Sequence, residues 1–424
     1  MIETGVTYLV CICVFMIGIQ RRQIKAAELF IIFILAILSF AYQPLSSDDL
    51  TREYACLDGI REMGWAFFEQ NAHFFESNVV GTVTSSKFNG IYVSQLIYYI
   101  FAHLPVYNIF PATVVGFQFY LEFKLLNRLR RHFNLSNRNF VILFITMLFL
   151  RELRWMMSGI RNQLAFTIAL YVLYEDLMEN KNKILSLIGY VLCGMIHQSA
   201  YVILILRLIL FIPSNKVKIT ISGIMLFWSN FLNVGMVYLG KFINIPIVNS
   251  ILWKIAVYTE NGDTSTNVVV NPYYMKMIIS NIGLLIFSAL SIYYFYRFYG
   301  KSGHIGITKK AFSIKSGKIR IVRKRINTFE VGEVNSDIIT FLLMATCLTI
   351  GSNMYYWLYL RFAILIQIWI IVIMAAIAYK MQETGCYKSL YYATGTGTVL
   401  LKFTIMMFVA NVSFYFNLFG LYPS

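Results

Sequence analysis

Phe140-Val-Ile-Leu-Phe-Ile-Thr-Met-Leu-Phe-Leu150 runs into Arg151-Glu-Leu-Arg154-Trp-Met-Met-Ser158-Gly-Ile-Arg161-Asn-Gln163, and the chain resumes as Leu164-Ala-Phe-Thr-Ile-Ala-Leu-Tyr-Val-Leu-Tyr174. Two uncharged apolar runs enclose three arginines. A surface helix of a water-soluble protein carries a polar face, and neither run has one. A helix apolar all round belongs in a large core or a bilayer. Runs of this kind occupy about 5–20, 26–43, 89–104, 106–127, 139–157, 162–178, 184–199, 200–213, 219–239, 273–297, 336–353, 358–379 and 390–412.

Composition points the same way. Of 424 residues, 58% are hydrophobic and 13% charged, against roughly half and a quarter in a soluble domain. A soluble enzyme, a disordered chain and a disulfide scaffold are excluded. A membrane helix needs about 20 apolar residues, so the expectation is an all-α, polytopic integral membrane protein. It forms one domain over 1–424 with about twelve crossings. The six cysteines form no CxxC and no Cys/His cluster, so no metal site is expected.

Three loops separate these runs into contrasting groups. Residues 44–88 are acidic, with seven acids and two bases over 44–78. Residues 240–272 are nearly neutral. Residues 298–335 are basic, with nine Lys/Arg and no acid between 301 and 325. Basic loops beside membrane helices face the cytoplasm. The basic loop is therefore placed inside, along with the turn holding Arg21, Arg22 and Lys25, and the 44–88 and 240–272 loops outside. The net charge of +16 then reflects topology and attraction to lipid headgroups rather than nucleic-acid binding. The first run lacks a basic segment before it and reads as a retained helix rather than a signal peptide. Two crossings within 89–127 would invert every later loop, so the run 89–104, before Pro105, is expected to enter the membrane without crossing it.

Under this topology the chemistry collects outside. An arginine at membrane depth costs several kcal/mol. On one continuous helix Arg151, Arg154 and Arg161 would fall within an arc of roughly 80°. Guanidinium groups facing one cavity suit a multiply charged anion such as a pyrophosphate, which they grip bidentately. The alternative is snorkelling to the interface, with Glu152 pairing one of them. His197-Gln198-Ser199 closes another run, and a histidine there transfers protons near neutrality or is a satisfied interior residue. Arg361 lies inside an apolar helix with no acid within 20 positions on either side, so it needs an anion or a water-filled cavity. Asp48 and Asp49 follow the second run, either as a helix cap or hydrated loop, or as a general base and sugar-hydroxyl ligand. No Walker A, GxGxxG, GxSxG or HExxH motif is present.

These landmarks, in this order, resemble the Wzy-type polysaccharide repeat-unit polymerases, particularly the EpsG-like branch. The resemblance rests on Asp48, Asp49 and Tyr54, on Ser158-Gly-Ile-Arg161-Asn-Gln163-Leu-Ala, on His197-Gln198-Ser199-Ala, and on a late Arg361 followed by an aromatic. The ending Asn417-Leu-Phe-Gly-Leu-Tyr422-Pro is similar too. It implies a GT-C-like membrane glycosyltransferase of the bacterial inner membrane, with its active site facing the periplasm. Such an enzyme moves a growing glycan from undecaprenyl pyrophosphate onto a lipid-linked single repeat, with no cofactor and no metal. Applied to this chain, Arg161 and Arg361 would hold the donor pyrophosphate, with Arg154 and Arg151 assisting. His197 would transfer the proton, Asp48 or Asp49 would contact the acceptor, and Gln163 and Gln198 would be polar neighbours. The resemblance also implies a chain-length regulator of the Wzz type as partner. A lipid-linked oligosaccharide flippase, a ligase-like glycosyltransferase and a non-catalytic scaffold are the competing readings.

Overall fold

The computed structural model describes residues 2–44, 48–70, 72–77, 81–86, 91–151, 153–228, 286, 312–315, 318–321, 336–352 and 356–385, with a few positions between 388 and 397. The runs 273–297 and 390–412 lie essentially outside the described residues. So do the second half of the run 219–239, the loop 240–272, most of 298–335, Glu152 and the ending at 417–423.

The chain opens with a helical hairpin, α1 (Ile2–Gln20) and α2 (Ile24–Ala41). Its turn places Arg22 at φ 58°. A Cβ at Gly18 would collide with Ala27, so a glycine lets the two backbones approach, as small residues do between membrane helices. The acidic segment holds α3 (Asp49–Met63), closed by Gly64 at φ 61°, then α4 (Ala66–Gln70). An antiparallel hairpin follows, β1 (Ala72–Ser77) with β2 (Gly81–Ser86), paired from Ala72↔Ser86 to Ser77↔Gly81.

Next come α5 (Tyr92–Ala102), α6 (Ile109–His132), α7 (Asn137–Leu150), α8 (Leu153–Ser158), α9 (Ile160–Leu177) and α10 (Lys183–Ile196). A 3-10 turn, Gln198–Ala200, leads into α11 (Tyr201–Leu210) and α12 (Asn215–Met225). A second hairpin, β3 (Phe312–Lys315) with β4 (Lys318–Ile321), precedes α13 (Ser336–Gly351) and α14 (Tyr356–Thr384). The bundle is all helical. Both hairpins fall in the stretches read from the sequence as acidic and basic loops.

Among the described residues three helices are long and apolar enough to cross a membrane: Ile24–Ala41, Ile109–His132 and the stretch Arg361–Glu383 of α14. Six further apolar helices among the described residues have 10–17 residues. The surface has the polarity of a membrane protein. Leu29, Phe30, Phe33 and Ile37 of α2 and Ile184, Leu185, Ile188 and Leu192 of α10 point outward, while Glu122, Arg151, Asp176 and Arg207 are buried. At the centre Phe15, Phe123, Phe140 and Phe144 lock α1, α6 and α7, with Phe15 stacked on Phe144 at 4.0 Å between ring centroids.

Cross-contacts fix the relative directions of three helix pairs. Asn108 Nδ2 donates to the Phe40 carbonyl at 2.6 Å and Asn127 Nδ2 to Glu28 at 2.7 Å, so α6 is antiparallel to α2. Tyr190 meets Asp176 while Ser199 meets Asn162, so α10 is antiparallel to α9. Asn139 Nδ2 donates to Gln382 Oε1 at 2.6 Å, so α14 is antiparallel to α7. The turns between α1 and α2, α6 and α7, and α9 and α10 therefore share one end. That end gathers Arg21, Arg22, Lys25, Arg130, Arg131, Arg138, Lys181 and Lys183. Two of its turns use asparagine in the left-handed region, Asn134 at φ 43° and Asn180 at φ 49°, the conformation asparagine tolerates best after glycine. α3, α8, the start of α9 and the end of α10 lie at the opposite end, with Asp48, Asp49, Asp58, Glu62 and Glu69.

Candidate functional site

The three arginines of 151–161 do not share one helix. The chain leaves helical geometry at Arg151 (φ −94°, ψ 99°) and again at Gly159 (φ −89°, ψ 45°). The 80° arc expected for a continuous helix is therefore not formed, and each guanidinium goes its own way. Arg151 turns inward. Its Nε lies 2.6 Å from Glu122 Oε1 of α6, and its Nη2 donates to Thr167 Oγ1 of α9 at 2.7 Å. Its carbonyl accepts from Tyr8 of α1 at 2.8 Å, and the Tyr8 oxygen accepts the Leu153 N–H at 3.3 Å. With 2% of its side chain exposed, Arg151 ties α1, α6 and α9 to the break before α8. Its guanidinium is paired inside the bundle with Glu122 and Thr167.

Arg154 and Arg161 stay nearer the surface, with 18% and 14% of their side chains exposed. Arg154 Nη2 pairs with Asp48 Oδ1 at 2.9 Å, and Arg161 Nη2 with Glu53 Oε1 at 3.0 Å. Each acid also accepts a phenol: Tyr42 donates to Asp48 Oδ2, and Tyr98 to Glu53 Oε2. The result is two tyrosine–carboxylate–arginine triads side by side. Burial first, and the neighbouring Asp48 carboxylate next, push the Tyr42 phenol well above its ordinary value, so it remains a donor to that carboxylate. The Tyr98 ring also lies 5.5 Å from the Arg161 guanidinium carbon, within cation–π range.

Asp48 occupies the N-cap position of α3, yet its side chain caps nothing. It is spent on Tyr42 and Arg154. Asp49, its neighbour, is exposed and pairs with Arg52 three residues on. The structure thus separates the two aspartates and brings only Asp48 to the arginines.

His197 ends α10 in extended geometry (φ −149°, ψ 121°). Its Nδ1 lies 2.6 Å from Ser199 Oγ, which is 3.0 Å from Asn162 Oδ1, the residue after Arg161. The Ser199 backbone N–H donates to the same Nδ1 at 3.3 Å, so Nδ1 is an acceptor and a neutral His197 carries its ring proton on Nε2. Gln163 and Gln198 are both buried beside this relay. Arg361 lies near the start of α14, half-buried. It is 21 residues, about 32 Å of helix, from the Gln382 contact at the basic end, hence at the level of the triads.

Glu53, Tyr98, Tyr42 and Glu122 were not singled out from sequence. For Glu53 a signal exists: it stands in the stripe Leu50, Glu53, Leu57, Ile60, whose members are all buried. An acid on an apolar stripe at 3-4-3 spacing needs a buried partner. Among the described residues no three His, Cys, Asp or Glu side chains cluster as metal ligands. Comparison with protein-family models, with curated proteins and with solved structures finds no match.

Proposed function

We propose that this chain is a membrane glycosyltransferase that polymerises surface polysaccharide, moving a growing glycan from undecaprenyl pyrophosphate onto a lipid-linked repeat at the periplasmic face. The observation that carries the reading is the juxtaposition of Arg154 and Arg161, each steadied by an acid, with the His197–Ser199–Asn162 relay. Orientation follows from charge. The end rich in arginine and lysine belongs to the cytoplasm, so the triads face outward, where a flipped lipid-linked substrate presents its sugars.

A guanidinium carries five N–H donors, and the acids each engage one Nη2 in the contacts given above. Arg154 and Arg161 meet the phosphate oxygens from their exposed side, with Arg361 closing the site from α14. His197 takes the proton from the acceptor hydroxyl as that oxygen bonds to the anomeric carbon. The bond from this carbon to the pyrophosphate oxygen breaks, and undecaprenyl pyrophosphate leaves with the electron pair. Fixed positive charge at the leaving group is the kind of preorganised stabilisation that dominates many enzymes. Asp48 and Glu53 keep the arginines aimed, which matters because a misplaced donor loses most of its value.

The test is a deletion strain complemented with the wild-type gene, its surface glycan displayed by gel. A polymerase leaves single-repeat product in the deletion and restores a ladder on complementation. Loss of even the single repeat would place the chain upstream, as a flippase. Wild-type ladders in the deletion would contradict both.

A further inference from the structure

Helix α5 is inverted relative to a helix in water. Ser94, Gln95, Tyr98 and Ala102 form its buried face, whereas Tyr92, Leu96 and Ile100 are 62%, 54% and 53% exposed. The outward residues fall within about 80° of the helical wheel. A hydroxyl, an amide and a phenol turned inward, with large apolar side chains turned out, is stable only if the outer neighbour is hydrocarbon. α5 packs against α10, which carries outward apolar residues of its own, Ile188 and Leu192.

At 11 residues, α5 is about 16 Å long, roughly half the hydrocarbon thickness of a bilayer. That length suits one leaflet, on the side of the triads. Its C-terminus is fixed by Arg61 of α3, whose Nε and Nη2 donate to the carbonyls of Ala102 and Leu104 at 2.9 and 2.7 Å. Its inner face supplies Tyr98 to the Glu53–Arg161 pair. One helix thickness, about 10 Å, separates lipid from arginine.

We infer that α5 is the lateral wall of the site: the isoprenoid tail of a polyprenyl diphosphate lies along Tyr92, Leu96 and Ile100, and its diphosphate reaches round the helix to Arg161. This rests on the reading of Arg161 as a diphosphate ligand. A substrate anchored in the leaflet then needs no passage through water, and the tail adds affinity that a soluble diphosphate lacks.

Two measurements test it. A nitroxide on Leu96→Cys, with Cys13, Cys56 and Cys386 changed to serine, is read by power saturation in liposomes. Oxygen is expected to reach it and a water-soluble nickel complex is not; ready access of nickel overturns the inference. In nanodiscs, Leu96→Lys is expected to weaken binding of undecaprenyl pyrophosphate about tenfold, with inorganic pyrophosphate bound as by wild type. Leu96→Ala, which adds no charge, should act in the same direction by about threefold. Unchanged undecaprenyl pyrophosphate binding in both variants overturns the tail's position. Arg161→Ala should weaken both probes. If it binds inorganic pyrophosphate like wild type, the diphosphate reading itself fails, while the nitroxide still reports whether α5 faces lipid.

Discussion

The same three side chains are assembled at both ends of the bundle, with different degrees of closure. At the basic end Tyr190 donates to Asp176 at 3.1 Å, and Arg207 grips that carboxylate with Nε at 2.5 Å and Nη2 at 3.1 Å. The Arg207 and Asp176 side chains are only 4% and 2% exposed. At the other end the arginines of Tyr42–Asp48–Arg154 and Tyr98–Glu53–Arg161 keep 18% and 14% exposure. A doubly bonded, sealed arginine has little left to offer a ligand. One that is steadied by its acid at a partly open surface can still meet one. Chemistry alone does not separate the sealed triad from the open ones; exposure does.

That contrast can be broken by substitution, starting where the effect should be greatest. Arg207→Ala leaves Asp176 charged and buried, which costs about 3–5 kcal/mol; the same holds for Arg151→Ala, which strands Glu122. Both should lower the melting temperature of the detergent-solubilised protein and its abundance in the membrane. Wild-type melting for either would mean these pairs are not locks. Asp48→Asn keeps a partner for Tyr42 and removes the charge beside Arg154. Glycan elongation is expected to fall about tenfold, the cost of loosening one catalytic contact, at normal membrane abundance in immunoblots. Asp49→Asn touches only the exposed pair with Arg52, and exposed pairs are worth at most about 1 kcal/mol. Stability and ladder length should both match wild type, and a strong defect there would dissolve the distinction between the two aspartates.

Much of the helical layout was legible because membrane helices must be apolar over their length. The arginine landmarks, His197 and the opposite characters of the acidic and basic ends were legible for the same reason: charge stands out against hydrocarbon. The partners of the arginines were not. Asp48 and Glu53 reach Arg154 and Arg161 across more than 100 positions, and pairing at that separation depends on how α3 packs on α8 and α9. The arc of Arg151, Arg154 and Arg161 was misjudged because helical periodicity was extended through Gly159 and past Arg151, where the backbone turns. The glycine was in view, and helices commonly break at such a residue. The inward turn of Arg151 had no local signal, since its acid lies on α6.

The most direct test of the central claim is Arg161→Lys. Lysine keeps a positive charge for Glu53 and removes the planar fork that grips a diphosphate. Membrane abundance and melting temperature should match wild type, while the surface glycan collapses from a ladder to the single repeat. A full ladder at normal abundance would contradict the account, because the Tyr98–Glu53–Arg161 triad would then be another lock of the kind seen at Arg207.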